Sequence, residues 1–253
     1  MLNIEHLSVT LDGKQILEDI SFKLRPHRLT ALVGRNGSGK STLLGCVNQQ
    51  ISYTGLITEN GRDLAKLHPR QRAKAIAILP QTMSAPTVTV EEMVAFGRTP
   101  YLDFTGRLRE DDRIAVQKAM SEAQVDDLKA RTVDTLSGGE RQRVALAMIL
   151  AQDTPIALLD EPTAHMDLGF ETAFLEQLRL LREKNSKTFL VILHDLSMAV
   201  RYADDILVLD RGRLCFAGTV ESCLEQRILE ETFHLKQYSI EENGEKRIFF
   251  SGE

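Results

Sequence analysis

The sequence has no tryptophan, only 3 cysteines and 7 prolines in 253 residues, and just 6% aromatic side chains. It also has no long apolar run: the strongest, at 189–193 and 144–151, fall far short of the roughly 18 residues of a spanning helix. The first six residues, Met-Leu-Asn-Ile-Glu-His, carry an acid and no basic stretch before an apolar core, so no secretion leader is expected. Cys46, Cys215 and Cys223 are too scattered for a disulfide frame or a metal knuckle and read as small core residues of a reducing compartment. Neither charge dominates: 31 Lys+Arg against 36 Asp+Glu give a net charge of −5, which argues against broad nucleic-acid binding. With 43% hydrophobic and 26% charged residues, wholesale disorder and fibrous architectures are excluded.

What is present is a regular alternation. Leu2, Ile4, Leu7 and Val9, then Ile16, Ile20, Phe22 and Leu24, follow a period of two around Asp12-Gly13, as in an antiparallel hairpin. Residues 29–33 are apolar on both faces, as a strand buried in a parallel sheet would be. Residues 75–79, 156–159 and 189–193 share that character, and a shorter run covers 206–209. Helix-period segments at 41–49, 109–124, 139–152, 170–184 and 196–202 separate them, implying βαβ units. Residues 86–150 break the rhythm with two helical stretches and no strand between them. The expected fold is therefore α/β, a mainly parallel sheet flanked by helices with an N-terminal antiparallel β subdomain and a helical insertion. Its one domain, 1–253, would comprise a core at about 1–85 and 151–235, a helical subdomain at about 86–150 and a short extension at about 236–253.

Gly34-Arg-Asn36-Gly37-Ser38-Gly39-Lys40-Ser41 fits G-x-x-x-x-G-K-[ST] and lies between a buried strand and a helix. The glycines let the backbone wrap closely and aim its N–H groups inward, which together with the helix end makes an anion site. Lys40 would reach the β- and γ-phosphates, and Ser41 would join a Mg²⁺ shell. Ile156-Ala-Leu-Leu-Asp160-Glu161 is a buried strand ending in two carboxylates, Asp160 suited to the metal and Glu161 to a general base. His194 ends a third buried strand and would approach the γ-phosphate, while Gln81, after a fourth, would bind Mg²⁺ or water. Leu136-Ser137-Gly138-Gly139-Glu140 forms a second turn opening a helix, with Ser137 as its cap. One crevice needs only one cradle, so the second turn is best used across a dimer.

These motifs resemble those of the ATP-binding subunits of ABC (ATP-binding cassette) transporters over about residues 2–235. The resemblance identifies 34–42, Thr42 included, as the phosphate loop of a P-loop (RecA-like) fold, Gln81 as the Q-loop and 136–140 as the signature. It makes 156–161 the Walker B segment, His194 the switch histidine and Ala164-His-Met-Asp167 a D-loop ending in Asp167. It implies ATP and Mg²⁺ as cofactors, hydrolysis with Glu161 and His194 as catalytic residues, and a head-to-tail homodimer. It further implies two membrane-spanning permease subunits, an extracytoplasmic substrate-binding protein, and a peripheral position on the cytoplasmic face of the inner membrane. Phe96-Gly-Arg-Thr-Pro-Tyr101 and the segments around Asp167 and Asp195 are most similar to importer ATPases for siderophore iron, haem or cobalamin. Importers of metal ions or oxyanions, and a soluble cassette serving cluster assembly, are the alternatives. Two departures stand out. Leu11 replaces the aromatic that usually stacks on adenine, which implies relaxed base selectivity, and Glu140 replaces a glutamine, with Arg141 and Arg143 expected to neutralise it.

Overall fold

Asp12 and Gly13, with φ of 49° and 75°, turn the chain back on itself between β1 (Leu2–Leu11) and β2 (Lys14–Lys23). Positive φ at both central residues is what a two-residue hairpin of native twist requires. The computed structural model describes every residue except Thr82, Ser84, His165, Asn243, Gly244 and Glu253, and only the backbone of Glu242, Glu245 and Lys246. The chain forms two units, one of Met1–Lys66 with Thr188–Glu253 and one of Leu67–Lys187.

The first unit begins with β1, β2, β3 (Leu29–Gly34), α1 (Lys40–Val47), β4 (Thr54–Glu59) and β5 (Arg62–Asp63). The second runs through α2 (Pro69–Ala75), β6 (Ile76–Leu79), α3 (Val90–Ala95), α4 (Glu110–Glu122), α5 (Gly138–Ala151), β7 (Ile156–Leu159) and α6 (Leu168–Asn185). The first then resumes with β8 (Thr188–Ile192), α7 (Leu196–Tyr202), β9 (Asp205–Asp210), β10 (Arg213–Thr219), α8 (Val220–Glu225), α9 (Ile228–Phe233), β11 (Leu235–Glu242) and β12 (Glu245–Gly252).

In the first unit β2, β1, β4 and β5 form an antiparallel sheet. β3 lies between β8 and β9, parallel to both, and β10 closes on β9 antiparallel. All six residues of β3 and all five of β8 are buried, as their unbroken apolar runs require. The last strands, β11 and β12, form a hairpin with Tyr238 stacked on Phe249. In the second unit β6 and β7 pair in parallel, and β7 is buried throughout. The expected α/β class, with parallel strands, flanking helices and an N-terminal antiparallel sheet, is the one observed.

β4, α2, α3 and the terminal hairpin were not anticipated. β4 buries only alternate residues at one end, and α2 buries Ala75 alone, so neither prints a clear period. α2 is defined by its start, where Pro69 follows a His68 cap. Ala75, expected in a strand, closes this helix, and β6 begins at Ile76.

Phe96–Tyr101 forms a 3₁₀ segment that ties the helices of the second unit together. A Cβ on Gly97 would lie 2.2 Å from the Met148 carbonyl oxygen, so the segment approaches α5 only as glycine. Buried Arg98 donates to Asp112 Oδ1 at 2.9 Å and to the Ala151 carbonyl at 2.8 Å, supplying a partner to the end of α5. Tyr101 lies beneath both Arg98 and Lys74. Burial opposes the Asp112 charge, but the Arg109 N–H and the Arg98 guanidinium prevail and hold its carboxyl below 3.8. A lowered carboxyl stabilises the fold above 3.8, and that contribution disappears as pH falls through the lower folded value. Arg98→Met should destabilise by about 3 kcal/mol, because Asp112 is left buried without its cation. Burial then raises the Asp112 pKa, so the deficit should widen between about pH 4 and pH 7. Denaturant unfolding at both pH values checks this; an equal deficit contradicts the ion-pair account.

Candidate functional site

The phosphate-loop residues occupy the first unit. Gly34 ends β3, and a Cβ there would meet the Leu209 carbonyl oxygen at 2.2 Å and Ser38 Oγ at 2.6 Å. Gly37 and Gly39 adopt φ of 76° and 102°, backbone that side chains with a Cβ rarely enter. The turn therefore exists only with glycine at its corners. Gly39 is the left-handed cap of α1, so the N–H groups of Lys40, Ser41 and Thr42 open the helix. Lys40 is buried, and its ammonium donates to the Gly34 and Arg35 carbonyls at 2.8 and 3.3 Å. Ser38 Oγ is buried with no hydrogen-bond partner, while Asn36 and Ser41 are exposed. A glycine-shaped turn with an ammonium folded into it and an unsatisfied hydroxyl fits a polyphosphate.

His194 reaches the same end of the same sheet. Leu32 pairs with Ile192 in parallel, so two residues further on Gly34 and His194 leave neighbouring strands together. His194 is exposed, and Asp195 beside it caps α7 through the Ser197 and Met198 N–H groups. Leu11 is 40% exposed at the end of β1, next to the hairpin turn.

In the second unit, Leu79 pairs with Leu159, so Gln81 and Glu161 emerge side by side from β6 and β7. Gln81 Nε2 donates to Glu161 Oε2 at 2.5 Å. Asp160 is buried, and its N–H bonds the Leu79 carbonyl at 2.9 Å. Glu161 takes a left-handed φ of 49°, sparsely populated backbone for such a residue, which is stored strain at a carboxylate of the site. Asp167 caps α6 through the Phe170 N–H at 2.9 Å. His165, within the D-loop resemblance, lies outside the described residues.

Ser137, Gly138 and Gly139 open α5. Ser137 Oγ accepts the Glu140 N–H at 3.3 Å while Glu140 Oε2 accepts the Ser137 N–H at 2.8 Å, a reciprocal cap. A Cβ on Gly139 would strike the Phe170 ring at 2.4 Å, whereas one on Gly138 meets nothing within 4 Å. The expected neutralisation of Glu140 by Arg141 and Arg143 is corrected. Its cation is Arg131, at 3.0 Å, and Arg143 lies over the Phe170 ring. A residue one position away on a helix points elsewhere, and the loop before α5 brings Arg131 back to the turn. Arg131 and Phe170 carried no sequence signal, because each acts through a neighbour that only folding supplies.

The structure thus brings the phosphate loop together with His194 in one unit, and Gln81 with Glu161 in the other. The ABC transporter family model matches residues 17–164. An iron(3+)-hydroxamate import ATP-binding protein of Bacillus subtilis (strain 168) is 36% identical over 92% of this chain and 88% of its own. A hemin import ATP-binding protein of Nocardia farcinica (strain IFM 10152) is 40% identical over 87% of this chain and 76% of its own. Among solved structures, a metal-chelate type ABC transporter in an inward-facing conformation has a TM-score of 0.85 at 24% identity, covering 99% of this chain and 96% of that chain.

The two turns should answer differently to one methyl group. Gly34→Ala must push the Leu209 carbonyl aside and should cost about 1–3 kcal/mol, whereas Gly138→Ala, facing open space, should stay within about 0.5 kcal/mol. Denaturant midpoints of the two variants check this, and equal losses contradict the assigned packing.

Proposed function

Because the chain belongs to the ABC transporter family, we propose that it is the ATP-hydrolysing subunit of an importer whose cargo is a siderophore–iron complex, haem, cobalamin or a related metal compound. The observation that carries the nucleotide reading is the buried Lys40 ammonium folded into the turn shaped by Gly34, Gly37 and Gly39. Backbone N–H groups of that turn and of the first turn of α1 hold the β- and γ-phosphates, and Lys40 exchanges neutral carbonyls for charged oxygens. Leu11 offers adenine an apolar surface in place of a ring, which supports relaxed base selectivity.

Mg²⁺ suits this donor set. It takes most of its ligands from water and phosphate and few from protein; the hydroxyl of Ser41, the amide of Gln81 and the carboxylate of Asp160 would be the ones to hold it. When bound it supplies charge neutralisation on the phosphates. Glu161 accepts the proton of the attacking water as general base, and His194 contacts the γ-phosphate. The hydrogen bond that Gln81 donates to Glu161 ties the base to a residue whose loop runs on to the proposed docking segment.

Two copies close head-to-tail on two nucleotides, each held by one chain's phosphate loop and the other's Ser137, Gly138 and Gly139, with Asp167 near the shared boundary. Closure and reopening drive two membrane-spanning permease subunits. Among the described residues no helix is long and apolar enough to cross a membrane. The segment 81–107 is the docking surface; Phe96 is 51% exposed and Phe104 fully so. Thr82 and Ser84 within it lie outside the described residues. An extracytoplasmic binding protein delivers the cargo, and this subunit works as a peripheral protein on the cytoplasmic face.

Glu161→Gln should lower steady-state hydrolysis by about 10²–10⁴-fold while leaving ATP binding intact; unchanged turnover defeats the base assignment. With the co-purified permease in vesicles, a ferric siderophore, haem or cobalamin should stimulate hydrolysis and accumulate. Stimulation by molybdate alone reassigns the cargo, and a soluble scaffold in place of a polytopic partner rejects transport.

A further inference from the structure

The turn that opens α5 carries a carboxylate beside the groups that would receive a phosphate. Glu140 lies in the first turn of α5, and its Oε2 sits 2.8 Å from the Ser137 nitrogen. An anion there draws on the same helix-terminal field as an arriving phosphate and repels it. A glutamine would not. The chain nevertheless supplies a counter-charge. Arg131 Nη1 is 3.0 Å from Glu140 Oε1, and its Nη2 donates to the Thr135 carbonyl at 3.1 Å, which fixes the guanidinium between loop and helix. The Ser137 N–H and hydroxyl, with Arg131 adding its charge, hold the Glu140 carboxyl below its ordinary 4.5, so the group is ionised at neutral pH.

Stability does not explain this pair. The Arg131 and Glu140 side chains are 45% and 22% exposed, and ion pairs so open to water add little to folding. Charge balance does explain it. We infer that Arg131 is a positioning residue for nucleotide binding: it pins and neutralises Glu140, so that Ser137, Gly138 and Gly139 can take the γ-phosphate held by a second copy of the chain. This role rests on the two-copy reading above and adds to it a residue outside the signature segment.

Steady-state ATPase assays of the full chain test it, with KM for ATP and kcat read separately. Arg131→Ala should raise KM about tenfold with a smaller change in kcat, because an exposed charge acts on association more than on the chemical step. Glu140→Gln alone should lower KM about two- to threefold, since it removes the anion itself. The double variant Arg131→Ala/Glu140→Gln should return to the Glu140→Gln value, there being no carboxylate left to balance. Arg131→Lys should recover part of the loss by restoring charge without the fork. An unchanged KM in Arg131→Ala overturns the role. So does a double variant as impaired as Arg131→Ala, which would mean that Arg131 acts through the Thr135 carbonyl. If the parent's rate per chain does not rise with chain concentration, the two-copy reading itself fails and the Arg131 role falls with it; a concentration-dependent parent beside an unaffected Arg131→Ala rejects the role alone.

Discussion

A buried ammonium needs partners, and in this chain the partners are carbonyls of the turn it helps to shape. Lys40 donates to Gly34 and Arg35 from a position that only a left-handed Gly39 permits. Much of the first unit serves that arrangement. β3 is buried between β8 and β9, so the turn springs from a rigid base. The Leu209 carbonyl of β9 sets how closely Gly34 must approach, and the Gly212 N–H bonds the Ser38 carbonyl at 3.1 Å. In the proposed function, a polyphosphate entering this turn would give the ammonium charged oxygens in place of the Gly34 and Arg35 carbonyls.

The second turn is built by different means. Ser137 and Glu140 cap each other, Arg131 balances the charge, and Phe170 packs where a Gly139 side chain would be. Phe170 is itself the residue that Asp167 caps at the start of α6. The D-loop residue and the signature turn therefore share one packed neighbour. Gln81 and Glu161 form another linked pair in the same unit, joined at the ends of two parallel strands.

Much of this was legible in the sequence because unbroken apolar runs, glycine at fixed offsets and capping residues each have one physical reading. The strands at 29–33, 156–159 and 189–193 announce burial on both faces, and the structure buries them. The hairpin at Asp12-Gly13 was equally plain. Elements lacking a period escaped: α2, with one buried residue, and β4, half exposed. The cation of Glu140 was assigned to its neighbours on the helix, when the loop preceding α5 supplies it. The Arg98–Asp112 pair was also hidden, although Phe96-Gly-Arg-Thr-Pro-Tyr101 resembles a family segment. Its physical content, glycine for close approach and arginine for a buried carboxylate and a helix end, emerges only from packing. Local chemistry can be read from sequence; a partner brought from elsewhere cannot.

The central claim is that neither turn completes a nucleotide site without a second copy of the chain. Sedimentation of the slow-hydrolysing Glu161→Gln chain, with and without ATP and Mg²⁺, tests it most directly. The account predicts a monomer in the absence of nucleotide and a dimer in saturating ATP, returning to monomer when Ser137→Glu is added. A chain that binds ATP at saturation and stays monomeric, alone and beside its permease, contradicts it.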